Sequence, residues 1–573
     1  MPVGAFAVTR TVPLLAVVAT SVFFVSFSSF AQESAPAASP FVDSRQQFCE
    51  VAGTVLSAAT GQPLKKARVT LAAQDEDQAQ PLVSVTDASG HFGIERIRPG
   101  RYTVLVERVG YVSQAYDQDQ PDKPGAILTL EPGKKVTDML FRLRNAGVIS
   151  GRVTDEDGEP AQDVLVEVLQ RVYSEGKPVI GAVQDAKTND LGEYRVYGLS
   201  PGRYYVRASN GPGPEEMFVG KAGPQATAGY APTFYPGTTD PTQAGALDVK
   251  AGDEVSGIDI TLSTNRTYHV RGHVLNPLTS SPAEINVTLF PRGESAMSAP
   301  DMRGAQTDPT TGAFDIARVS PGSYVLTAMW PDEGRMRTAT QDVDVQNANV
   351  DDVSIVLARG ADISGRVSVE GKVDGQADGG RTRMVVTLTQ RGRMFAGDSE
   401  ASVKSDGSFL LSGVSDGNYM IHVGSSCSAC YVKSVTAGGG DILGQGIQVS
   451  GAVGPSSVDI VYSSHTAKVS GVVTRDDGSP AAGALVVLVP DEPFRGYDDR
   501  YQTASTDQYG AFTMSGVAPG SYSAYAWERI EDGAYEDPEF VKQFEKKAEP
   551  IEVEENGSNT IQLKLIPVTA DQQ

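Results

Sequence analysis

With 573 residues, 60 glycines, 34 prolines and 40% hydrophobic content, the chain is long enough for several domains and too apolar to be disordered. Its net charge of −23 repels phosphate backbones, which are bound through Lys and Arg, and no basic patch interleaved with aromatics offsets it, so nucleic acid is not an expected partner. The Gly and Pro content points to many short strands and turns, not to a helical enzyme.

The first element is a leader. Arg10 is the only charge before Glu33, and the run from Val12 to Phe27 is apolar apart from Pro13, Thr20, Ser21 and Ser26. Crossing a bilayer core of roughly 30 Å takes about 20 residues, so this shorter run reads as the h-region of a secretory signal peptide, residues 1–31. Ser29 and Ala31 supply small residues at −3 and −1, which predicts cleavage after Ala31; a retained N-terminal anchor is the alternative. Cleavage would remove Arg10 and take the net charge to −24. No later stretch is apolar enough to span a membrane, and no Cys follows the h-region to accept a lipid. A soluble, secreted mature chain is expected, in the periplasm, at the outer surface or outside the cell. Residues 32–46 read as a linker.

Beyond the linker one pattern recurs five times: Gly-x-aromatic-x-apolar, an apolar residue, then Pro-Gly-x-Tyr leading into an alternating strand. The copies are Gly90, Phe92, Ile94, Ile97, Pro99, Gly100, Tyr102; Gly192, Tyr194, Val196, Leu199, Pro201, Gly202, Tyr204; and Gly312, Phe314, Ile316, Val319, Pro321, Gly322, Tyr324. The fourth, Gly407, Phe409, Leu411, Val414, Asp416, Gly417, Tyr419, carries Asp for Pro, and the fifth is Gly510, Phe512, Met514, Val517, Pro519, Gly520, Tyr522. Each copy opens with a Gly-bearing strand (Gly53, Gly151, Gly272, Gly365, Gly471) and closes with an extended pair such as Ile127 to Leu130 and Val136 to Leu143. Repetition of this kind marks tandem units.

About seven short, β-branched strands per copy, bounded by Gly, Pro and Asp turns, predict an all-β chain of five seven-stranded, prealbumin-like or immunoglobulin-like β-sandwich modules, arranged as beads on a string. The expected modules are 47–144, 145–265, 266–359, 360–465 and 466–567, with a tail at 568–573. Pro-Gly reads as a type II turn with a positive φ at Gly. Period-2 alternation then places Tyr102, Val104 and Val106 on one core face, and a buried Tyr hydroxyl should find a turn carbonyl. These residues are expected to be structural.

The second module is longest because of an insertion, 210–245, holding Phe218, Tyr230, Phe234 and Tyr235. It is either a partner surface or a loop folded onto its own module. In the fourth module, Cys427 and Cys430 are expected to form a local disulfide in an oxidising compartment, leaving Cys49 over. In the fifth, Tyr525 and Trp527 share the strand face opposite the core and form a candidate sugar platform near Asp498, Asp499, Glu528 and Asp532. Against that, Asp537-Pro538 is a good helix start, and Phe540, Val541 and Phe544 make an apolar stripe that would lie over both rings. Burial is the favoured outcome.

The combination of Ser150-Gly-Arg-Val-Thr-Asp-Glu-Asp-Gly-Glu-Pro160, Thr188-Asn-Asp-Leu-Gly-Glu-Tyr194 and Leu199-Ser-Pro-Gly-Arg-Tyr204 resembles the carboxypeptidase regulatory-like domain, a prealbumin-like sandwich. Tyr230-Ala-Pro-Thr-Phe-Tyr-Pro236 with Val249-Lys-Ala-Gly252 resembles exported bacterial members with tandem copies. In metallocarboxypeptidases the module accompanies a zinc peptidase domain, and in TonB-dependent receptors it precedes a barrel; neither companion is expected here. The same fold occurs in starch-binding modules, which is the source of a carbohydrate-binding reading.

Catalytic chemistry finds no motif here. His91, His269, His273, His422 and His465 fall in three modules, and only His269 and His273 are close, as an ordinary strand pair without a third ligand. There is no nucleophile elbow, phosphate loop or dinucleotide fingerprint. Asp155-Glu-Asp-Gly158 and Asp476-Asp-Gly478 read as hairpin turns in preference to calcium loops, and Lys468 alone lies near a first strand where an isopeptide lysine would sit. The expected function is therefore a non-enzymatic, cofactor-free envelope scaffold or binding protein that holds another envelope protein or a polysaccharide. Carbohydrate binding through exposed aromatics is the alternative, and an accessory subunit of a peptidase encoded elsewhere the distant one.

Overall fold

The computed structural model describes residues 48–568 apart from 75–79, 122, 175, 210–227, 276–284, 293–301, 333–334, 358–359, 372–383, 391–398, 428 and 452. The leader, the linker and Phe218 lie outside the described residues. The regular structure among the described residues is nearly all strand, organised as five pairs of sheets plus a two-stranded ribbon of Ala228–Tyr230 with Thr264–Arg266. Each pair encloses its own apolar cluster, and the five clusters fall within 49–143, 149–262, 268–357, 361–462 and 467–563.

The first pair shows the common plan. Strand Cys49–Ser57 alternates buried and half-exposed along its length. It runs antiparallel to the motif strand His91–Ile97 on one side and parallel to Lys135–Leu143 on the other. The facing sheet places Arg68–Ala73 between Leu82–Val85 and Gly100–Glu107. The closing pair of extended segments therefore splits: Leu128–Leu130 joins the strand of Tyr102, while Lys135–Leu143 crosses to the first sheet. The same parallel crossing recurs at Val350–Val356, Ser457–Ser463 and Ser558–Lys564.

The opening glycines are explained by this crossing. A Cβ on Gly53, Gly151, Gly272, Gly365 or Gly471 would strike the carbonyl of Met139, Ile258, Val353, Val458 or Ile561 on the parallel partner. In the third, fourth and fifth pairs the motif ring, Phe314, Phe409 or Phe512, also fills the space that a side chain would take.

The turn chemistry differs from expectation. Gly520, at 151°, lies far from the value of about +80° that a type II turn requires, and Gly100, Gly202, Gly322 and Gly417 do not adopt a positive φ, so Pro-Gly is not a type II turn. Four residues earlier, Arg96, Gly198, Arg318, Gly413 and Gly516 do, with φ between 58° and 85°, beside the register slip at the end of each motif strand. Such a bulge twists the strand and aims the following turn across to the other sheet. The turn glycine has another use: the ring of the Tyr two residues on lies over it, at 3.2 Å from where a Cβ would stand in Gly322.

The pairs are not strung as separate beads. The last pair returns to the first: Ile127 N–H donates to the Thr506 carbonyl at 3.2 Å and Thr129 Oγ1 to Asp507 Oδ2 at 2.9 Å. It also meets the second pair, whose long hairpin Leu165–Ser174 and Lys177–Lys187 brings Tyr173 to Phe540. Against the fourth it seats Arg500, which donates to the Val432 carbonyl at 2.6 Å and stacks over Tyr431 and Phe494. Single polar residues in loops make most of these joints, and such residues leave no periodic trace in a sequence.

Candidate functional site

The recurrent residues converge on construction. In all five copies the motif Tyr donates its hydroxyl to the carbonyl four residues before it: Tyr102 to Arg98, Tyr204 to Ser200, Tyr324 to Ser320, Tyr419 to Ser415 and Tyr522 to Ala518, at 2.7 to 2.9 Å. This is the carbonyl partner expected of a buried phenol. Where the motif ring is Tyr194 in place of Phe, its extra hydroxyl donates to the Ile258 carbonyl at 2.6 Å.

A further repeated residue went unnoticed in the sequence. Thr86, Thr188 and Thr506 each accept from one backbone N–H, of Ala67, Val164 or Ala484, and donate to the carbonyl of Leu64, Ala161 or Ala481. Thr307 accepts from Ile285 N–H in the same way. Each stands one residue before the turn Asp or Asn, and six before the motif ring in copies one, two and five, an offset that a column-by-column comparison of the copies would reveal. The fourth copy has Val403 there.

Tyr525 and Trp527 stack on each other at 4.8 Å but offer no face to solvent: they are 2% and 1% exposed. A five-residue helix, Pro538–Lys542, starts where Asp537 accepts from Glu539 N–H, and brings Phe540, Val541 and Phe544 over the two rings. Together with Val487, Val489, Tyr501 and Ile566 they make a second apolar cluster on the outer face of this sheet. A ring must be bare to stack on a sugar, so the exposed-platform reading of Tyr525 and Trp527 does not survive the cover. The indole Nε1 of Trp527 is buried without a hydrogen-bond partner.

The insertion in the second pair folds onto its own body where it is described. Tyr235 N–H donates to Val206 and Phe234 is buried with its ring 5.8 Å from the Arg207 guanidinium. Arg207 in turn holds Glu167 at 2.9 Å in a buried ion pair, where burial pushes the Glu167 carboxyl above its usual range. Tyr230 and Tyr235 remain half-buried at the edge of the core.

Cys427 and Cys430 are joined as a disulfide, and Cys49 is buried with its Sγ donating to the Glu131 carbonyl at 3.0 Å. His269 Nδ1 lies 2.6 Å from Asp315, which also pairs with Arg271, so this histidine belongs to a hydrogen-bonded network on the sheet surface. Asp155 accepts from the N–H groups of Asp157 and Glu159, and Asp477 from that of Ser479, which closes their hairpins. Among the described residues no three His, Cys, Asp or Glu side chains come together as a metal site, and no helix is long and apolar enough to cross a membrane.

Residues 50–144 and 148–216 match the family model of the carboxypeptidase regulatory-like domain. The matched segments fall in the first two sheet pairs, the second of which carries the motifs that show the same resemblance. No curated protein matches the chain. Among solved structures it is similar to a minor pilin of the Gram-positive pathogen Streptococcus agalactiae, at 12% identity over 37% of this chain and 94% of that one, with a TM-score of 0.21. It is also similar to two B repeat units of the collagen-binding protein of Staphylococcus aureus, at 11% identity over 72% and 99%, with a TM-score of 0.12. At such scores these likenesses carry no argument about what the chain does.

Proposed function

We propose that the chain is a non-enzymatic scaffold of the cell envelope, built from five modules at 47–144, 145–265, 266–359, 360–465 and 466–567 and delivered there by a cleaved leader at 1–31. The observation that carries this reading is the use to which the recurrent residues are put. The motif ring, the Tyr hydroxyl, the buried Thr and the opening Gly all serve to hold a sheet pair together. The loops between the strands differ most in length and composition between copies, as in the insertion of the second, and loops are the part a scaffold offers to partners. Five separate apolar clusters support the module boundaries. Polysaccharide remains the competing ligand, with Tyr230 and Tyr235 as its remaining half-exposed aromatics.

The test is cross-linking in the intact producing cell, run beside a glycan array of the purified mature chain. Defined envelope proteins joined to specific modules, with no glycan retained, are the expected result. Retention of a polysaccharide that is lost on Tyr230→Ala or Tyr235→Ala, without any cross-linked protein, would replace the scaffold by a sugar-binding protein.

A further inference from the structure

The joint between the last sheet pair and the first has an electrical asymmetry. Residues 47–144 contain twelve basic and twelve acidic side chains, whereas 466–567 contain nine and eighteen. A neutral body therefore meets a strongly acidic one. The direct contacts across it use cations of the earlier side: Lys123 Nζ lies 2.8 Å from Glu528 Oε1, and Arg101 Nη1 donates to the Thr513 carbonyl at 3.3 Å, while Arg475 of the last pair acts on Asp117 of the first in the opposite sense. Arg171 of the second pair approaches Glu531 at 4.0 Å. Between these charges the seam is made of polar bonds, with Thr129 N–H donating to Gln508 Oε1 and Gln508 Nε2 donating back to the Thr129 carbonyl.

We propose that the fifth sheet pair is a charge-held latch that closes the array on itself and opens at this seam when the charges are screened or reversed. Three features support it. Self-repulsion in a chain of net charge −23 favours an open array, so closure needs local compensation, which Lys123 supplies from a site where its side chain is only 14% exposed. The seam joins surfaces more than 370 residues apart in sequence, so closure holds the two ends at high effective concentration without strong individual bonds. The joint to the fourth pair also holds an ion pair, Lys433 with Glu555 at 2.6 Å, but adds to it the buried Arg500, which lies between Tyr431 and Phe494 and donates to the Val432 carbonyl, and it would persist in the open form as the hinge side.

Zero-length carbodiimide coupling of the purified mature chain reads the latch directly, because Lys123 and Glu528 can condense to an amide only when the seam is shut. The cross-linked peptide is expected in the monomer at low salt and is expected to be lost in molar salt, where the screening length falls to about 3 Å. Small-angle scattering of two variants supplies the second readout. Lys123→Glu should raise the radius of gyration, and the charge swap Lys123→Glu with Glu528→Lys should bring it back, each with the melting temperature of the separate sandwiches unchanged. The latch is overturned if the cross-link is absent from the low-salt monomer, if it survives molar salt, if Lys123→Glu scatters as the parent does, or if the swap fails to restore compactness.

Discussion

A buried phenol recurs through the molecule, and its chemistry sets a pH limit. Tyr204, Tyr462, Tyr497 and Tyr522 have their ionisation pushed up, in each case first by burial, and Tyr535 is pushed up to about 12. An unfolded tyrosine titrates near about 10. The folded state thus holds these protons more tightly, and their contribution to stability is complete below about pH 10 and falls as pH rises through the interval up to the folded values. Melting temperature should therefore drop steeply above that point. Phenolate absorbance should lag behind that of free tyrosine and then rise together with unfolding; a smooth titration at the free-tyrosine value would contradict the burial of these rings. Sulfur offers a second check at this scale. With Cys427 and Cys430 joined and Cys49 buried, a thiol reagent should label none in the native chain and a single thiol once it is unfolded.

At the scale of the element, two substitutions separate space from conformation. Gly272 has an ordinary φ, yet a Cβ there meets the Val353 carbonyl and the Phe314 ring. Gly272→Ala should cost about 1 to 3 kcal/mol as the parallel strand is pushed away. Gly93, in the first motif strand, has open space on the same test, so Gly93→Ala should leave the first sandwich's melting point within about 0.5 kcal/mol of the parent. The lid over Trp527 makes a sharper prediction. Trp527→Ala should destabilise the last sandwich by about 3 to 5 kcal/mol, seen as an early transition in calorimetry, because it removes the buried ring against which Phe540 and Phe544 both pack. A variant that melts like the parent would mean that the lid does not rest on this ring.

Much of this scale was legible beforehand. Period-2 alternation gave the core faces, and Asp537-Pro538 with its apolar stripe gave the short helix, because both depend on residues a few positions apart. The Pro-Gly turn was misread for the opposite reason. Its geometry is set by a bulge four residues upstream and by a ring that folds back over the glycine, and a dipeptide's own preference yields to such packing.

The whole molecule divides along the same line. Sequence by itself determined that the chain is all-β, that a motif set recurs five times and that the recurrent Gly, ring and Tyr are structural, since each follows from local spacing and from the need of every buried strand to alternate. It also favoured the burial of Tyr525 and Trp527 and the pairing of Cys427 with Cys430. Only the tertiary structure decided that the opening glycines make room for a parallel strand returning from the end of each copy, and that buried threonines staple the turns. It alone showed that the last sandwich packs against the first, second and fourth in place of trailing behind them. Those outcomes rest on contacts such as Thr129 with Asp507 or Arg500 with Val432, between groups far apart in the chain. A single hydrogen bond or ion pair at such a distance imposes no period on the residues around it, so nothing in the order of the amino acids announces it.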